Sequence, residues 1–198
     1  AQEFVEDGLE YYKKDIALKT VQGDILMEME KFEEARAIFE DVAAKSPYKI
    51  GIYGKLDNCC RSTGMWNEAL EYATMQLEQA ESGYSYMRRG QIYTCMHKMD
   101  EAIADFNKAL ELTPENPYIY NYAGVAYEFK GDITKALELY GESIKIGIEE
   151  GEVCKEAYTN LGVLLGKYSS VEQAAEILKR GYAISKDPEI IMDLIEKE

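Results

Sequence analysis

Residues 86–114, YMRRGQIYTCMHKMDEAIADFNKALELTP, decide the fold. Tyr86, Gly90 and Tyr93 fall on one face of a first helix, since residues three and four apart share a side. Ala102, Phe106 and Ala109 share a face of a second helix, and Pro114 closes the unit. The pattern returns about 34 residues later as Tyr120, Gly124, Tyr127, Ala136 and Tyr140. Repetition at that period signals stacked helical hairpins, none of which buries its apolar face alone.

An alanine series extends the register outward. Ala35, Ala69, Ala102, Ala136 and Ala174 are spaced by 34, 33, 34 and 38 residues. Five repeats follow: 16–49, 50–82, 83–116, 117–150 and 155–188. The first carries Gly23, Leu26, Phe39 and Pro47; the second carries Tyr53, Leu56, Cys60 and Ala73. Gly64 and Gly131-Asp132 mark turns, glycine accepting the left-handed backbone without steric cost. The fifth uses Tyr158, Leu161, Gly162, Leu165, Leu178 and Gly181. Its longer interval holds GIEEGE at 147–152, so a helix or a loop is extended there. Residues 1–15 read as a partial repeat or an N-terminal capping helix. Residues 189–198, EIIMDLIEKE, read as a capping helix. The expected organisation is a single domain over 1–198.

These residues resemble the tetratricopeptide repeat (TPR) family, whose pattern runs aromatic, Leu-Gly, Tyr, Ala, Phe and Pro. Repeat 83–116 matches best, with Arg89 before Gly90 in place of leucine. Repeat 117–150 departs at Ala123 and Ile148, and repeat 16–49 has Lys19 at the first aromatic place. Repeat 50–82 has Asp57 where glycine is usual and lacks a closing proline; 155–188 lacks the turn glycine. The likeness covers about 170 of the 198 residues. It implies an all-α, right-handed superhelical solenoid with a concave groove lined mainly by first helices.

Composition narrows the function. The chain has 37 acidic against 22 basic residues, a net charge of −15, which disfavours phosphate backbones and hence nucleic acid. No apolar run is long enough for a bilayer span, so direct membrane insertion is not expected. Cys59, Cys60, Cys95 and Cys154 show no metal-ligand spacing and suit a reducing compartment. The expected location is the cytoplasm; because residue 1 is alanine, a removed signal or an anchor upstream stays open. Self-association through the terminal helices is a further possibility.

The first-helix faces opposite the packing markers supply the candidate peptide-binding residues. They are Lys55, Asn58 and Arg61; Tyr84, Met87, Arg88 and Gln91; Tyr118, Asn121, Tyr122, Val125 and Phe129; and Thr159, Asn160 and Val163. Tyrosine offers contact area at low entropy cost, and arginine pairs with carboxylates. The plainer reading is that several of these tyrosines pack between helices. The expected partner is a protein or peptide, bound by a non-catalytic scaffold or by a module of a larger protein.

The family's carboxylate clamp, which grips a chaperone C-terminus, is not reproduced. Its places hold Thr20, Asp24, Lys55, Tyr84 and Arg88 if counted from the first repeat. From the second they hold Gly54, Asn58, Arg88, Tyr118 and Tyr122; from the third, Met87, Gln91, Tyr122, Glu156 and Asn160. No catalytic set, metal site or cofactor motif is expected. The sole histidine, His97, falls at a turn and reads as solvated, and Cys60 occupies a packing place.

Overall fold

A computed structural model describes residues 15–49 and 51–185. Of the expected terminal elements, 1–15 lies outside these residues except for Asp15, and 189–198 lies outside them entirely. The described residues form helices and connecting turns, without strands. They are α1 (Ile16–Glu28), α2 (Phe32–Lys45), α3 (Ile52–Ser62), α4 (Trp66–Gln79), α5 (Gly83–Cys95), α6 (Met99–Leu112), α7 (Pro117–Lys130), α8 (Ile133–Glu150), α9 (Lys155–Tyr168) and α10 (Val171–Ser185).

Local chemistry fixes the starts and stops. Asp15 caps α1, accepting from the Ala17 and Leu18 amides at 2.8 and 3.1 Å. Ser82 caps α5, Asn116 precedes Pro117 at the head of α7, and Asp132 caps α8. Four turns use a left-handed residue at matching places: Glu30, Gly64, His97 and Gly131. Two of the four are not glycine. The long fifth interval is a property of the helix: α8 runs for 18 residues before Gly151 ends it at φ 74°.

The chain divides into two compact units, residues 1–96 and 97–198. In the first, α1 packs on α2, α2 on α3, α3 on α4, and α4 on α5. Leu26, Phe39, Val42, Ile52, Leu56 and Cys59 form its main core, with Ala35 among them. In the second unit α6 to α10 pack in the same sequential way, and α7 also touches α9. Tyr140 and Tyr158 are the largest fully buried side chains there.

The whole alanine series is buried. Small residues on first helices also face bulky ones on second helices. Gly23 lies against the Phe39 ring; a Cβ on Gly124 would stand 2.6 Å from Tyr140 Cε1, and one on Gly162 2.6 Å from Leu178 Cγ. In each case the partner is sixteen residues along the chain. This close approach holds the two helices of a hairpin together.

Candidate functional site

In the first unit, α1, α3 and α5 border a groove of about 590 Å³. Asp24, Lys55, Asn58, Tyr84 and Arg88 line it, with Asp57 in its wall. Lys55 pairs with Asp24 across neighbouring first helices, and its ammonium sits 5.7 Å from the centre of the Phe39 ring. Arg88 stacks 5.8 Å from the Tyr84 ring centre.

Asp57 is the unusual group. It is 1 % exposed, and Arg88 donates to its Oδ2 from Nε at 2.9 Å and from Nη2 at 2.6 Å. Oδ1 is buried and has no hydrogen-bond partner. Burial pushes the Asp57 carboxyl above the ordinary range; the Arg88 charge and hydrogen bonds, and the Arg61 charge, offset this only in part.

The repeat pattern explains why the carboxylate fits. At the places where Gly23 meets Phe39, the second repeat has Asp57 and Ala73, an inverted order of large and small. Ala73 leaves open the room that an aromatic ring fills elsewhere, and it lines the groove with Gln76. Gln76 Oε1 accepts the Gly54 N–H at 3.1 Å, satisfying one of the orphan donors in the first turn of α3.

The candidate residues of this unit thus separate. Lys55, Asn58, Tyr84 and Arg88 come together on one groove. Arg61 and Gln91 are half-buried and lie outside its lining. Met87, read as groove-facing, is instead buried at 8 % exposure. A helical projection gives a side chain's direction without showing that the neighbouring helix covers it. Asp57, Asp24 and Gln76 were missed. The signal for Asp57 was its pairing with Ala73, sixteen residues on.

In the second unit the candidates lie on α7 and α9. Asn160 Nδ2 donates to Asn121 Oδ1 at 2.9 Å, tying the two first helices. Asn121 is itself buried, at 3 % exposure, so it serves that tie rather than an open surface. Tyr118 and Val125 pack against the core, and Tyr122 stacks on Phe106 with ring centres 6.4 Å apart. Tyr118 and Tyr122 thus pack as the plainer reading describes, each half-buried. Burial pushes the Tyr118 hydroxyl above its usual value, with Cys154, Glu156 and Glu152 adding to it. Thr159, Asn160 and Val163 are half-buried. Phe129 is 63 % exposed and meets His97 edge-on at 6.2 Å.

The thiols of Cys59, Cys60 and Cys154 are buried. Burial pushes the Cys59 and Cys154 thiols up to about 11. Among the described residues no cluster of three or more His, Cys, Asp or Glu is placed to hold a metal ion. No described helix is long and apolar enough to cross a membrane.

Known proteins agree with this architecture. The family model for the TPR repeat matches residues 83–128. A TPR repeat-containing protein of Methanocaldococcus jannaschii, MJ1428, is 28 % identical over 102 residues, covering 52 % of this chain and 18 % of that protein. The human tetratricopeptide repeat protein 13 is 26 % identical over 128 residues, 64 % of this chain and 14 % of that protein. The chain therefore spans less than a fifth of either relative's length. Among solved structures, YrrB, described as a TPR protein with an unusual peptide-binding site, superposes with a TM-score of 0.65 at 18 % identity, over 99 % of this chain and all of YrrB. The repeat spacing, the buried alanine series, the helical hairpins and these matches together show TPR repeat sequence at 83–128 and, over the described residues, the helical-repeat fold of tetratricopeptide repeat proteins.

Proposed function

We propose that this chain is a non-catalytic scaffold that holds a segment of a partner protein against its first helices. The observation that carries the reading is the groove bordered by α1, α3 and α5, where Lys55, Asn58, Tyr84 and Arg88 converge. Apolar wall, exposed tyrosine and a few fixed charges are the elements of a peptide site. The peptide-binding site named for YrrB lends support by likeness of fold alone. In the second unit, Phe129, exposed on α7, is the candidate contact residue.

Tyr84 and Phe129 are the residues to test, because both are exposed, at 59 and 63 %. Arg88 is a poor choice, since it neutralises a buried carboxylate. Quantitative affinity capture from a native extract should lose specific partners with Tyr84→Ala plus Phe129→Ala. Unchanged recovery by that variant sinks the groove assignment.

A second reading is favoured by the length of the relatives: the array is an interaction module within a longer polypeptide. An antibody to the array would then detect a native product heavier than these 198 residues. A native product no heavier than these 198 residues would contradict it.

A further inference from the structure

We infer that the groove of the first unit recognises a basic side chain, lysine or arginine, which the bound segment inserts beside Asp57. This rests on the scaffold reading above and specifies the chemistry of its ligand.

The first support is an acceptor without a donor. Asp57 Oδ1 is buried and unpartnered, while Oδ2 takes both contacts from Arg88. A buried acceptor left unpaired is costly, so a ligand N–H that reaches it gains more than an exposed contact would. The second is room. Ala73 stands where other repeats place Phe39, Tyr140 or Leu178, and the space opens on the groove. Tyr84 and Lys55 are long and at least one-third exposed, so an entering chain displaces them at the expense of surface contacts only.

The third is charge. Asp24, Glu28 and Asp57 line the groove against only Lys55 and Arg88, and both of these cations are already engaged. Arg61 faces Asp57 from the next turn and lies outside the lining. A carboxylate shared by two cations has a precedent in the same unit, where Asp41 takes both Lys19 and Lys45. The net charge of −15 also favours a basic segment at long range.

The test uses the full chain, labelled with 15N, and five blocked peptides, Ac-Gly-Ser-X-Ser-Gly-amide, with X as Lys, Arg, Gln, norleucine or Glu. Lys and Arg peptides should shift the Gly54 amide and the Arg88 Nε–H, binding roughly tenfold tighter than the Gln, norleucine and Glu peptides. Asp57→Asn, which keeps the shape and removes the charge, should erase that preference. The double variant Asp57→Gly plus Ala73→Phe, which copies the Gly23–Phe39 arrangement, should abolish binding while retaining the helical circular dichroism. Equal binding of all five peptides would overturn this inference and leave the scaffold reading standing. A Lys preference that survives Asp57→Asn, tighter binding of the Glu peptide, or no shift with any peptide would also overturn it. The capture experiment with Tyr84→Ala plus Phe129→Ala judges the scaffold reading separately.

Discussion

Removing Arg88 should damage the protein more than removing the residue it neutralises. Arg88→Met keeps most of the aliphatic stem and deletes the two donors at 2.9 and 2.6 Å from Asp57 Oδ2. Asp57 is 1 % exposed and its other oxygen already lacks a partner, so the variant strands a buried carboxylate. Breaking a buried pair this way costs about 3–5 kcal/mol; the 17 % exposure of the Arg88 side chain lets water in and places the loss near the lower end, about 3 kcal/mol. Asp57→Ala should cost less, about 1–2 kcal/mol, because Arg88 keeps its stacking on Tyr84 and its access to water. The double variant should regain much of the loss. The pH dependence has a definite sign. Burial already holds the Asp57 carboxyl above its ordinary value, and loss of the Arg88 charge raises it further. A carboxyl that binds its proton more tightly when folded destabilises the fold above its folded pKa and ceases to do so below its unfolded one. The deficit of Arg88→Met is therefore full near neutral pH and shrinks towards the ordinary carboxylate range. Urea unfolding followed by circular dichroism, at about pH 7.5 and about pH 5, reads both effects. A loss under about 1 kcal/mol, or one that grows with acidity, would refute the reasoning.

Other perturbations separate packing from backbone effects. Gly124→Ala places a Cβ 2.6 Å from Tyr140 Cε1 and should destabilise by about 1–3 kcal/mol in the same unfolding assay. Gly141→Ala, also in a helix but with nothing within 4 Å of its Cβ, should stabilise by about 0.5–1 kcal/mol. Glu30→Gly relieves a left-handed residue at φ 58° and should raise the urea midpoint by up to about 1 kcal/mol in stability. A thiol reagent should label Cys95 rapidly in the native protein, with Cys59, Cys60 and Cys154 reacting after unfolding. Rapid native labelling of more than one thiol would contradict the burial described.

The parts legible in the sequence are those set by short-range periodicity. Gly124 and Tyr140, or Gly162 and Leu178, announce their hairpins because each close approach uses residues a fixed distance apart in one repeat. The left-handed turns at Gly64 and Gly131 are announced by glycine, whereas those at Glu30 and His97 carry no such mark. There the closing geometry of the hairpin overrides local preference. The groove was legible only in part. Tyr84 stays exposed as its helical face predicts, but Met87 and Asn121 are covered by neighbouring helices. Asp57 looked like a gap in the pattern, because Arg88, which makes it tolerable, lies 31 residues away and meets it only after hairpins stack.

The most direct measurement of the central claim is site-specific photo-crosslinking. A photoreactive phenylalanine analogue would replace Tyr84, Phe129 or, as the control, Tyr48, which is 89 % exposed and lines a different hollow beside Met75. Adducts with the same partner from positions 84 and 129, and none from 48, are the predicted result. A partner captured from 48 and absent from both 84 and 129 would contradict the assignment of binding to the first-helix surfaces.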